Sequence, residues 1–201
     1  ATVEATTPEK GRLELAIKGR ASAAGIRSEI DSPITANLQG EAGYRATIIV
    51  AQPGVSMNID SDMVGMAMQL PEPLRKAAGT RLALAITSRP VRLAGRAPAR
   101  WGDRLAVKLG KDFVAMFERD PEADGQGGQR LAVRRGVIAF DSIPAIPDEG
   151  LSLALNTVNL NVDRWLSVLQ IVPEPGAEPA PASARSAVPE TGYFRGFDLE
   201  P

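Results

Sequence analysis

The chain has 201 residues, 44% hydrophobic and 23% charged, with a net charge of -1, which is room for one large or two small globular domains and leaves no electrostatic footprint for nucleic acid. Cys and His are both absent. That excludes disulfides, thiol catalysis, zinc sites built on Cys and every nucleophilic scheme that needs an imidazole, so no cofactor, metal or enzymatic role is expected.

Taken in chain order, the elements show one dominant signal, alternation with period 2, which marks half-buried β-strands. GRLELAIKG places Leu13, Leu15 and Ile17 on one face and Glu14 and Lys18 opposite. Ser22 to Ile30 reads as a short helix. GYRATIIVA alternates Tyr44, Ala46, Ile48 and Val50, and SMNID alternates Met57 and Ile59. VGMAMQL puts Val64, Met66, Met68 and Leu70 on one side, so three of the five Met, counting Met63, fall in one stretch. Pro73 to Gly79 has the start and stop residues of one or two helical turns. TRLALAI aligns Leu82, Leu84 and Ile86; RLAVKLG aligns Leu105, Val107 and Leu109; FVAMF aligns Phe113, Ala115 and Phe117. RLAVRRGVIAF begins with Leu131 and Val133 and continues as a mixed run. GLSLALNTVNLNV aligns Leu151, Leu153 and Leu155, then Val158, Leu160 and Val162. Asp163 is placed to N-cap a helix whose Trp165, Leu166 and Leu169 face a sheet.

The spacers at 52–54, 88–90, 95–98, 109–112, 120–128 and 144–150 are turn chemistry, and most are short enough for antiparallel hairpins. Residues 172–190 are rich in Pro and Ala and read as a linker. Residues 191–201 read as the start of a further strand or a tail. Residues 1–171 are thus expected to hold the folded β-rich segment.

No catalytic constellation stands out. Asp60 and Asp62 lack the further acids of a calcium loop and read as an Asx turn. The Gly-rich 125–128 opens no helix and is followed by no GK[ST], so it reads as a hairpin tip. Arg130 with Arg134 and Arg135 is the most basic spot, explained by a strand that presents Arg outward. The apolar face of the sheet is what remains. It is aliphatic, Met-rich and poor in aromatics, and the short helices cover only part of it. Such a face either packs into a protein core or holds an apolar ligand, and the residues alone leave both readings open.

SDMVGMAMQLPEPLRKAAGTRLALAI (61–86) resembles the YhdP family of AsmA-like proteins, where a similar strand is followed by P-L-x-K-x-A-G and a strand of alternating Leu. GLSLALNTVNLNVDRWLSVL (150–169) is similar to a second family segment, with Asn156 and Asn161 where Gly and Asp are common. GRLELAIKGRASAAGI and GYRATIIV resemble the strands that precede the first motif. Family proteins are several times longer, so the resemblance implies an internal slice of a Gram-negative envelope protein, anchored in the inner membrane by a helix outside this chain. It implies a long, twisted, mostly antiparallel sheet with few short helices, curled into an open periplasmic groove that carries phospholipid toward the outer membrane. The implied partners are phospholipid acyl chains, neighbouring segments of the same chain and inner- and outer-membrane proteins. On this reading Val64, Met66, Met68, Leu70, Leu82, Leu84, Ile86, Leu151, Leu153 and Leu155 line the groove. The rivals are a closed β-sandwich acting as a scaffold or protein-binding module, and a His-free hydrolase built on carboxylates.

Overall fold

The computed structural model describes residues 1–93, 101–123, 128–142, 145–156 and 160–169. The stretches read as a linker and tail, most of the Gly-rich tip and Val158 lie outside the described residues.

The elements are β1 (Thr2–Glu9), β2 (Arg12–Ser22), α1 (Ala23–Glu29), α2 (Pro33–Ala36), β3 (Leu38–Ala51), β4 (Gly54–Ser61), β5 (Met66–Met68), β6 (Leu84–Arg92), β7 (Trp101–Leu109), β8 (Phe113–Ala123), β9 (Gln129–Phe140), β10 (Gly150–Leu155) and α3 (Val162–Leu169). The main sheet runs β1-β2-β3-β4-β6-β7-β8-β9-β10. Every pairing is antiparallel except that of β9 with β10. β1 and β10 are its two edges, so the sheet is not closed into a barrel. This is the mainly β, mostly antiparallel architecture that the alternation predicts.

β5 leaves this path. It pairs with the first residues of β3, Leu38 to Gly40, while the rest of β3 pairs with β2 and β4. Two glycines permit the crossing. Gly40 and Gly65 have φ of +86° and +99°, and a Cβ on either would fall 2.2 Å or 2.3 Å from a carbonyl oxygen of the other strand's segment.

The excursion from β4 to β6 builds the main closed core. Met66, Met68, Leu70, Met63, Leu38, Ala42, Ala23 and Leu109 are buried together, with Ile26, Ile34, Leu74, Leu82, Leu84, Phe113, Trp165 and Val168 packed around them. Lys76 closes it from within: its Nζ donates to the carbonyls of Met63 and Met66, both at 2.7 Å, and of Ala77 at 3.0 Å. Burial pushes the Lys76 ammonium below its ordinary value, and the nearby Asp62 carboxylate opposes that shift.

The Pro73–Gly79 helix expected from the sequence does not form. Its backbone bonds to β5 instead, with Lys76 N to Met68 O at 3.0 Å and Met68 N to Lys76 O at 2.9 Å. The turn expected at 88–90 is strand: Pro90 lies within β6 opposite Asp103. The ladder from β6 to β4 ends at Ser88, so Pro90 sits where a missing N–H does least harm. The short helix expected at Ser22 to Ile30 forms as α1, and Ser22 caps it, accepting from Gly25 N at 3.1 Å. At α3 the cap is Asn161, whose Oδ1 accepts from Arg164 N at 2.9 Å, and Asp163 falls within the first turn.

Candidate functional site: the uncovered apolar face

The ladder registers place one face of the sheet in rows. Through the strand middles run Val3, Ile17, Ala46, Ile59, Ile86, Val107, Ala115, Ile138 and Leu153, each paired with the next. Beside it run Ala5, Leu15, Ile48, Met57, Ser88, Leu105, Phe117, Gly136 and Leu151. At about 4.8 Å per strand, each row is about 38 Å long. Only Ser88 interrupts the apolar character of these rows.

These side chains are not sealed. Ile17, Ile48, Met57, Ile59, Ile86, Leu105, Val107, Phe117 and Ile138 are all half-buried, and Leu151 and Leu153 keep 68% and 64% exposure. The central strands of a sandwich bury such residues fully. The closed core lies toward one end of the strands, where Leu84, Leu109 and Phe113 join it.

The opposite face is different. From β2 to β6 its rows carry Lys18, Arg45 and Asp60, then Ala16, Thr47, Asn58 and Thr87. From β7 to β9 it holds a small second core of Ala106, Met116 and Val137, with Ile146 packed on it. Ile146 belongs to the connection between β9 and β10. That crossover therefore covers the outer face and leaves the apolar one free.

The charge around Glu118 on the outer face is paired. Glu118 accepts from Arg104 and Arg135 at 2.7 Å each and from Arg134 at 3.2 Å. Burial pushes its carboxyl up, but hydrogen bonds from Arg135 and Arg104 and their charge outweigh this and hold it at about 2. The Arg134–Arg135 pair read from the sequence is thus committed to an acid. Asp62 forms the expected Asx turn, accepting from Val64 N at 3.1 Å, and lies 3.6 Å from Arg81.

Of the residues expected to line a groove, Leu84, Ile86, Leu151, Leu153 and Leu155 lie on the apolar face. Met66, Met68 and Leu70 lie in the closed core at 2%, 6% and 2% exposure, and Leu82 packs against it. They do not reach the open face, because β5 pairs with the start of β3 rather than joining the main ladder. Val64 is 42% exposed in the turn before β5. Ile17, Ile59, Val107 and Ile138 complete the central row. Ile17, Ile59 and Val107 carry the period-2 signal and Ile138 sits in a mixed apolar run, but membership of one row follows only from the registers.

A one-residue bulge in β9 extends the face. Glu118 pairs with Arg135 but Arg119 with Val133, so Arg134 is the extra residue. The bulge puts Leu131 and Val133 on the same side as Ile138, which uninterrupted alternation would not. Among the described residues, no helix is long and apolar enough to cross a membrane.

A family model described as YhdP protein matches residues 1–195. No curated protein and no solved structure matches the chain. The family match spans the whole described fold, including the 61–86 and 150–169 segments, and the chain therefore belongs to the YhdP family of envelope proteins.

Proposed function

We propose that the uncovered face is a stretch of a trough that shelters phospholipid acyl chains crossing the periplasm between inner and outer membranes, and that the chain acts as a non-enzymatic conduit. The observation that carries this reading is the central row, apolar from β1 to β10, in which Ile17, Ile59, Ile86, Val107 and Ile138 are half-buried, and which is backed from β2 to β6 by a polar outer face. A row of about 38 Å exceeds the hydrocarbon of one leaflet, about 15 Å thick, more than twofold.

The energetics suit passage. Each sheltered methylene is worth about 0.8 kcal/mol, so a tail resists leaving for water. Moving sideways between near-equivalent aliphatic positions keeps that shelter, so a tail slides without a large barrier. A conduit of this kind needs uniformity and no reactive group, which agrees with a chain lacking His and Cys. The edges extend the idea. β1 is exposed along its whole length, and β10 presents Leu151, Leu153 and Leu155. Neighbouring segments of the same long chain are proposed to continue the sheet at these edges.

Native mass spectrometry of the gently purified protein tests the proposal. Co-purified phospholipid is expected. A lipid-free protein that takes up none from vesicles would favour a scaffold instead.

A further inference from the structure

The apolar face holds one charged pair. Asp103 and Arg119 are ladder partners on β7 and β8. Asp103 Oδ1 accepts from Arg119 Nε at 2.8 Å, and Oδ2 accepts from Ser88 Oγ at 2.6 Å and from Arg119 Nη2. Ser88 and Asp103 are buried, while the Arg119 side chain keeps 22% exposure.

The surroundings are apolar apart from Arg92, which is exposed and stands opposite Trp101 on the same face. Leu105 and Phe117 lie one step along the strands on the same face. On the other side stand Trp101 and Leu131, exposed at 42% and 47%, and in the same row Val133, the ladder partner of Arg119, is 51% exposed. A buried ion pair is a weak stabiliser, and well-packed apolar residues of similar volume serve a fold as well or better. Stability therefore does not account for a charge pair set among exposed apolar side chains. The pair is also neutral as a unit, with an anion beside a cation that carries five N–H donors. That pattern matches a head group bearing both a phosphate and an ammonium, attached to tails that lie on the rows.

We propose that Asp103 and Arg119 form a station for the head group of a zwitterionic phospholipid, with Arg119 donating to the phosphodiester and Asp103 facing the ammonium. The Arg134 bulge serves this station by turning Leu131 and Val133 toward it. The inference rests on the acyl-chain reading above, and its test separates the two.

Photoreactive residues are placed at Val133 and, separately, at Ile86. The protein is exposed to vesicles doped with labelled phosphatidylethanolamine or with labelled diacylglycerol of the same chains. Ile86 is expected to capture both lipids, and Val133 to favour the phospholipid by about tenfold. Asp103→Asn combined with Arg119→Gln removes both charges and keeps hydrogen-bonding groups. It is expected to bring the Val133 ratio to about one while capture at Ile86 persists. Equal capture at Val133 in the unaltered protein, or a preference that survives the double substitution, overturns the station and leaves the trough standing. Capture of neither lipid at Ile86 overturns both.

Discussion

Ile59 stands directly opposite Ile86 in the β4–β6 ladder, although the chain between these strands makes β5 and half of the buried residues of the closed core. The excursion thus interrupts the sequence but not the apolar row. This separates two classes of residue with similar hydrophobicity. Ile86→Asp changes a half-buried residue on an open face and is expected to abolish lipid co-purification while lowering unfolding free energy by only about 1 kcal/mol. Met66→Ala empties a site with 2% exposure and is expected to lower stability by about 2–5 kcal/mol while lipid per folded molecule stays unchanged. Urea titration and lipid quantification on the same samples check both.

Glu118 predicts a pH dependence. Its carboxyl is held at about 2 against an ordinary 4.5. Where the folded value lies below the unfolded one, the unfolded chain binds the proton first as pH falls. The contribution is present above 4.5 and is lost progressively as pH falls toward about 2. Glu118→Gln is expected to lower stability at neutral pH and to flatten this part of the profile, read by thermal unfolding across the acid range.

Gly65 has φ of +99°, and a Cβ there would lie 2.3 Å from the Glu41 carbonyl oxygen. Gly65→Ala is therefore expected to cost about 2 kcal/mol or more. The loss should appear first as faster amide exchange at Met66 to Met68, where β5 leaves β3, with the main ladder still protected.

Asn161 supplies the cap of α3, and Trp165 on that helix donates Nε1 to the Glu72 carbonyl at 3.0 Å. Asn161→Ala is expected to weaken the helix by about 1 kcal/mol. Fluorescence of Trp165 in a Trp101→Phe background should report the loosening while the β-sheet circular dichroism is retained.

Alternation made β2, β3, β4, β7 and β8 legible, because a strand with one polar and one apolar face writes that difference at period 2. It did not reveal β1, which is exposed on both faces and has no such contrast to write. Nor did it separate Met66 and Met68 from Ile86: all three show the same period, and only strand pairing decides whether a row joins the main ladder or folds into a core. Leu131 and Val133 are out of phase with Ile138 in a simple count of residues, and the Arg134 bulge shifts that count by one. Asn161 and not Asp163 caps α3; both residue types cap helices well, and the choice between them depends on where the helix starts. The Asp103–Arg119 pair left no local trace, as its partners meet only through the register of β7 and β8.

The central claim is that one face of this sheet meets lipid and the other does not. Ile86 and Thr87 are adjacent in β6 and point to opposite faces, in line with Ile59 and Asn58 respectively. Photo-crosslinking to labelled phospholipid from each position, in otherwise identical protein, measures the claim directly. Strong labelling at Ile86 with background at Thr87 is the predicted result. Equal labelling at both, or none at Ile86 in folded protein, would contradict it.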